Sequence, residues 1–121
     1  MRNLLKLEEV AMFAFGLVLL WNFAIPWWLL ILILLSPDLG ALGYLLNSRI
    51  GALTYNLLHH KAVALALFFI GVFSVNAYFQ IAGLIIFTHS SIDRVFGFGL
   101  KYPDSFSNTQ LGQIGKAAQT K

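Results

Sequence analysis

Residues 10–37 read VAMFAFGLVLLWNFAIPWWLLILILLSP, with no Asp, Glu, Lys or Arg from Val10 to Pro37. A membrane-crossing helix needs about 20 apolar residues at ~1.5 Å rise each, and this run is longer than one such helix. Its break is Trp21-Asn22-Phe23-Ala24-Ile25-Pro26, because Pro26 suits a first helical turn and the residue before a proline avoids the α region. The stretch therefore predicts two helices joined by a short turn. Residues 62–92 form a second uncharged stretch, divided at Ser74-Val75-Asn76, whose small polar residues favour turns. A shorter uncharged run, 50–60, leads into it across Lys61, and Asn47-Ser48-Arg49 makes a third break. Four helices follow, near 5–22, 26–46, 50–73 and 77–98, with connections short enough to make neighbours antiparallel. The expected fold is all-α: residues 1–100 as a four-span transmembrane bundle, up-down-up-down, and 101–121 as a polar tail packed on it.

Composition points the same way. Of 121 residues, 59% are hydrophobic and 11% charged, whereas soluble domains average roughly 45–50% apolar and about 25% charged. Mean hydropathy is +0.77. Such apolarity excludes a disordered chain, the absence of cysteine excludes a disulfide scaffold, and so short a chain has too little interior to hide this much apolar surface from water. Seven of the eight basic residues (Arg2, Lys6, Arg49, Arg94, Lys101, Lys116 and Lys121) fall on one side of the expected bundle, and the turns at 23–25 and 74–76 carry none. That asymmetry predicts a bacterial inner-membrane protein with both termini cytoplasmic. It also accounts for the basic charge balance without nucleic-acid binding. Trp21, Trp27 and Trp28 mark an interfacial belt at the outer turn. A cleaved signal peptide over 1–24 is disfavoured by Glu8, Glu9 and the lack of a small-residue cleavage site near Asn22.

Ionisable groups at membrane depth cost roughly 2.5–3.5 kcal/mol each on insertion scales, so their positions are informative. Counted from the cytoplasmic helix ends, Asp38, His59 and His89 all lie about 12–14 Å deep, near the midplane of a ~30 Å core. His89 and Asp93 share one helical face, as do Tyr55 and His59; Asn56 and His60 occupy the adjacent face. Pro37 should kink or restart the second helix, with Ser36 as a cap and Asp38 in the first new turn. Three readings of the cluster stand side by side. It is a hydrogen-bonded network holding helices together, a metal site, or a proton or ion relay in a small transporter. As a metal site, Asp38, His59, His89 and Asp93 form an N/O ligand set suited to Zn²⁺, Mn²⁺ or Fe²⁺, with Tyr55 or Asn56 orienting substrate. An open coordination position would activate water for hydrolysis of a lipid-like substrate. Glu8 and Glu9 are candidates to point inward, and Lys61 to snorkel or face a wet cavity. Gly40, Gly43, Gly51, Gly97 and Gly99 are expected at close helix contacts.

Several motifs occur in order: Pro37-Asp38-Leu39-Gly40, Gly43-Tyr44, Arg49-x-Gly51-Ala52, Tyr55-Asn56-x-x-His59, and His89-x-x-x-Asp93-Arg94-x-x-Gly97-Phe98-Gly99-Leu100-Lys101-Tyr102-Pro103. The chain resembles, over nearly its whole length, the small bacterial membrane family catalogued as domain of unknown function 4260. That family has no assigned activity to carry over. Its pattern continues to a Thr-His-Leu-Gly segment, which here reads Thr109-Gln110-Leu111-Gly112, so the resemblance supplies no tail histidine for a metal site. A looser similarity links the Pro-Asp turn and intramembrane histidines to membrane-bound metal-dependent hydrolases.

Overall fold

The structure is a computed structural model that describes residues 2–97, 100, 108–109 and 112–113. Among the described residues there are five α-helices: α1 (Arg2–Trp21), α2 (Trp27–Leu34), α3 (Ser48–Leu58), α4 (Lys61–Phe73) and α5 (Ala77–Val95). A 3-10 helix, Ser36–Leu45, lies between α2 and α3. The all-α class holds, with one addition in the tail: Asn108–Thr109 (β1) and Gly112–Gln113 (β2) pair antiparallel as a two-residue ladder. The packing expected of the tail otherwise falls outside the described residues.

All four expected helical stretches are present, but the second and third are each broken. The second breaks where Pro37 predicts it, and the restart is a 3-10 helix rather than an α-helix. Ten residues is long for this tighter geometry. It packs closely on α3: a Cβ on Gly40 would lie 2.8 Å from the Thr54 carbonyl oxygen and 3.0 Å from Tyr55 Cα. Thr54 Oγ1 donates to the Gly40 carbonyl at 2.5 Å across the same contact. Ser36 does not cap the new helix as expected; its hydroxyl donates back to the Ile33 carbonyl at 2.6 Å, beside a backbone N–H that this carbonyl also accepts in place of the one Pro37 lacks. The third stretch breaks at His59-His60, where α3 and α4 meet with a 48° bend that the sequence reading did not anticipate. His60 starts α4 anew by accepting the Ala62 amide on Nδ1 at 3.1 Å.

Packing divides the helices into two sets. In the first, α5 is sandwiched between α1 and α4, with α2 alongside. Gly16 of α1 meets Thr88 of α5, while Leu20 clusters with Leu84, so these two helices are antiparallel. The α4–α5 pair is antiparallel as well: Gly71 pairs with Gln80, and Gly83 meets Ala64 and Phe68. A Cβ at Gly83 would sit 2.4 Å from the Ala64 carbonyl oxygen, so only glycine permits this backbone-to-backbone contact. The second set is the 3-10 helix against α3. Contact between the two sets is sparse. Gly97 plays a different part from the one expected: among the described residues nothing lies within 4 Å of where its Cβ would stand, and its φ of +88° closes the end of α5, while Gly99 lies outside the described residues.

The interior is unusual for its polarity. Among the described residues, fully buried positions include His59, Thr88, His89, Ser90 and Ser91, whereas bulky apolar residues such as Trp21, Leu45 and Phe73 face outward. By length and apolarity, Trp27–Leu45 is a candidate membrane span, and α3 with α4 would be a second if the bent pair counts as one.

Candidate metal centre

The site begins with two backbone breaks. At Pro37 the chain switches from α to 3-10 geometry, and the Asp38 amide donates to Leu35 at 3.1 Å instead of to Leu34. The Leu34 carbonyl therefore has no helical partner, since its 3-10 partner would be the missing N–H of Pro37. His89, arriving on α5, supplies one: its Nδ1 donates to Leu34 O at 2.5 Å. The second break, at the end of α3, works alike. Tyr55 O is among the last carbonyls of that helix, which lack helical donors, and His59 Nδ1 donates to it at 2.8 Å.

A carbonyl oxygen only accepts, so both Nδ1 atoms carry the hydrogen and both Nε2 atoms of the neutral rings present a bare lone pair. These lone pairs converge on two carboxylates. His59 Nε2 is 3.3 Å from Asp38 Oδ1 and 3.3 Å from Asp93 Oδ2. His89 Nε2 is 3.0 Å from Asp38 Oδ1 and 3.3 Å from Asp93 Oδ2. One ligand atom from each residue lies within 4.8 Å of every other. Four electron-rich atoms at this spacing repel unless positive charge sits among them.

Protons and a metal ion make different geometric demands. An imidazolium N–H bonded to a carboxylate gives about 2.7–2.9 Å, and an N–H shared between two oxygens makes a weaker three-centre bond. His59 Nε2 is equidistant from both carboxylates and His89 Nε2 leans toward Asp38, all beyond that range. A tetrahedral ion with bonds of about 2.0–2.1 Å has ligand-to-ligand edges near 3.3–3.4 Å. Three of the four nitrogen–oxygen edges, at 3.3 Å, match that figure, and the fourth, His89 to Asp38, is 3.0 Å. Donation of the far ring nitrogen to a carbonyl is also the usual way a ligating histidine is oriented. Two neutral imidazoles and two carboxylates balance a divalent cation, which limits the cost of burying the charge.

All four residues expected to form the centre are thus brought together, two from the 3-10/α3 set and two from α5. They are unequally shielded: His59 and His89 are buried and the Asp93 side chain is 14% exposed, while that of Asp38 is 57% exposed. Asp38 forms the open edge. Tyr55 is buried and stacks on the His59 ring at 3.8 Å between centroids, fixing that ring's plane. Asn56 lines a separate surface groove with His60, on the far side of the α3–α4 bend, and His60 lies outside the centre as its helical angle predicts. Two features were missed in the sequence. Arg94 Nη2 lies 3.5 Å from the His59 carbonyl, and Lys61, in place of snorkelling, forms an ion pair with Glu9 of α1 beside Met12. Glu9's inward aim had been allowed for; its partner, 52 residues away, had no local signal.

A family model described as a domain of unknown function (DUF4260) matches residues 2–114. The chain belongs to this family. All four residues of the centre lie inside the matched DUF4260 region. Searches of curated proteins and of solved structures find no match.

Proposed function

We propose that this protein is a multi-pass membrane protein whose Asp38, His59, His89 and Asp93 bind a divalent transition metal and hydrolyse a lipid-like substrate. The observation that carries the metal reading is the set of four nitrogen–oxygen edges of 3.0–3.3 Å between donors whose lone pairs face inward. Zn²⁺, Mn²⁺ and Fe²⁺ suit the donor set. The outward-facing apolar surface around a polar interior supports a bilayer setting, as does the one-sided distribution of basic residues. On this reading the helices make four spans, the membrane is the bacterial inner membrane, both termini are cytoplasmic, and the 101–121 tail lies on that face.

His59, His89 and Asp93 form the buried holding set, a two-histidine, one-carboxylate arrangement found in catalytic zinc sites. Those three residues would hold the ion, and Asp38, at the open edge, would complete the set at rest and take the water's proton in the reaction. A bound divalent ion supplies the acidity that makes water reactive near neutral pH. The water oxygen then adds to the substrate's carbonyl carbon, the acyl–heteroatom bond breaks, and Asp38 returns the proton to the departing alcohol or amine. Tyr55 holds the His59 ring; Asn56 is placed to orient substrate only if the substrate reaches its groove. A second reading, a structural metal staple, is favoured by the number of donors: four protein ligands would fill a four-coordinate ion's shell.

Elemental analysis of gently purified protein tests the metal. One divalent ion per chain is expected in the wild type, and none in His59→Ala or His89→Ala. Wild-type protein that neither carries nor takes up Zn²⁺, Mn²⁺ or Fe²⁺ overturns the proposal. Asp38→Asn separates the two readings: a hydrolase retains the metal on its buried three ligands and loses turnover, whereas a staple loses metal and stability together.

A further inference from the structure

The stretch that carries His59 is not held by packing. α3 and α4 make little contact with each other, so no interface between them fixes their 48° bend. Two polar ties stand in its place. On the α4 side, Lys61, the first residue of that helix, pairs with Glu9 of α1, and its ammonium also lies 3.5 Å from Met12 Sδ and 5.9 Å from the centre of the Phe87 ring. α1 packs on α5 and makes little other contact with α4, so the pair is a strut between helices that barely touch elsewhere. On the α3 side, Arg94 Nη2 reaches the His59 carbonyl at 3.5 Å, a long hydrogen bond. Arg94 follows Asp93 on α5, so consecutive residues meet His59 at both ends: Asp93 at the ring and Arg94 at the backbone. Glu9 joins the two ties, since its carboxylate is close enough to Arg94 for their charges to interact.

Stability alone does not explain Lys61. A cation in the first turn opposes the helix dipole, and taking two charges out of water costs enough that an apolar pair of similar volume often serves as well or better. Lys61 and Glu9 incur that cost, with side chains only 23% and 19% exposed. What an ion pair supplies in return is a defined meeting point. Helix ends fray, and Lys61 stands at such an end, two residues from a candidate ligand. We propose that Glu9, Lys61 and Arg94 are positioning residues of the metal centre: they pin the α3–α4 junction so that His59 presents Nε2 where the other three donors converge. The inference rests on the metal reading above. It adds what holds the donor least supported by its own helix, since His59 lies just beyond the last residue of α3.

The test titrates Co²⁺, whose visible bands report tetrahedral geometry, into metal-stripped full-length protein in detergent, with unfolding in EDTA measured alongside. Glu9→Gln/Lys61→Met removes one charge of each sign, so the field at the centre is nearly unchanged. This double variant should bind Co²⁺ about ten- to a hundredfold more weakly than wild type, the usual effect of losing a residue that orients a ligand. That loss should persist even where stability in EDTA returns towards wild type. Lys61→Arg, which keeps the cation, should retain most of the affinity. Arg94→Met takes a positive charge away from beside the bound cation, which by charge alone tightens binding; weaker binding by a similar factor is expected instead, and it reports lost position. Wild-type affinity and spectrum in the double variant, or binding by Arg94→Met that is unchanged or tighter, overturns the positioning role while the metal centre stands. Affinity that merely tracks stability in EDTA across the variants overturns it as well. If the wild type binds no Co²⁺, the metal reading fails and the positioning role fails with it.

Discussion

Replacing Asp93 by asparagine should destabilise the protein much more with metal present than without it. Without a cation, protons on the rings take its place, and His59 and His89 each hold Asp93 Oδ2 at 3.3 Å. The Asp38 ligand oxygen, no more than 4.8 Å away, opposes them: two unit charges at that distance repel by about 3.5 kcal/mol at an effective dielectric of ~20, and by about half that at ~40. Asp93→Asn removes the repulsion together with the two charge-assisted contacts, each worth about 1.5–3 kcal/mol, so metal-stripped protein should lose only about 1–2 kcal/mol. With metal bound, the same substitution removes a ligand. A hundred- to thousandfold loss of affinity at saturating metal forfeits about 3–4 kcal/mol of binding-linked stability. The measurement is denaturant unfolding of both proteins in detergent, once with excess Zn²⁺ and once with EDTA. A purely hydrogen-bonded network has no such dependence. Equal destabilisation by Asp93→Asn in zinc and in EDTA would refute the metal-centred reasoning.

Four further outcomes are expected. Glu9→Gln should cost about 2–3 kcal/mol by leaving the largely buried Lys61 ammonium without its carboxylate, and the Glu9→Gln/Lys61→Met double variant should recover part of that in the same unfolding assay. His60→Ala should lower stability by about 0.5–1 kcal/mol through loss of the α4 cap, with metal content unchanged by elemental analysis. Gly83→Ala should destabilise by about 1–3 kcal/mol, because its Cβ meets the Ala64 backbone and forces α4 from α5. Reporter fusions at the N- and C-terminus should both read cytoplasmic; a periplasmic C-terminus would mean an odd number of spans.

The centre was legible in the sequence as a count along the expected helices. Asp38, His59 and His89 lie at matching distances from the expected helix ends, and polar groups at one level in adjoining helices have each other as partners. The Pro37 break was readable for a similar reason, since a missing N–H is a property of the residue itself. What could not be read depends on contacts between distant segments. The close packing of Ser36–Leu45 on α3 depends on Gly40 lying against Thr54, and the Lys61–Glu9 pair on α1 passing near the start of α4. The His59-His60 break did leave a trace: Lys61 interrupts an uncharged run directly after a histidine able to cap a helix. The trace is faint, because histidine's capping preference is weak beside that of Ser, Thr, Asp or Asn. The partners of the two Nδ1 atoms were also invisible, because they are backbone carbonyls.

The sparse seam between the two helix sets gives the four side chains a part in the statistics of the unfolded chain. Asp38 and His59 belong to one set, His89 and Asp93 to the other, and Asp38 and His89 are 51 residues apart. A cation gripped by all four would close that span as a cross-link does. For a loop of this size the chain-entropy model assigns about 4 kcal/mol, much the same as a disulfide would contribute. The chain has no cysteine with which to form one. Its two sets of helices would then be laced together by a bond that a chelator can undo and a metal salt can remake.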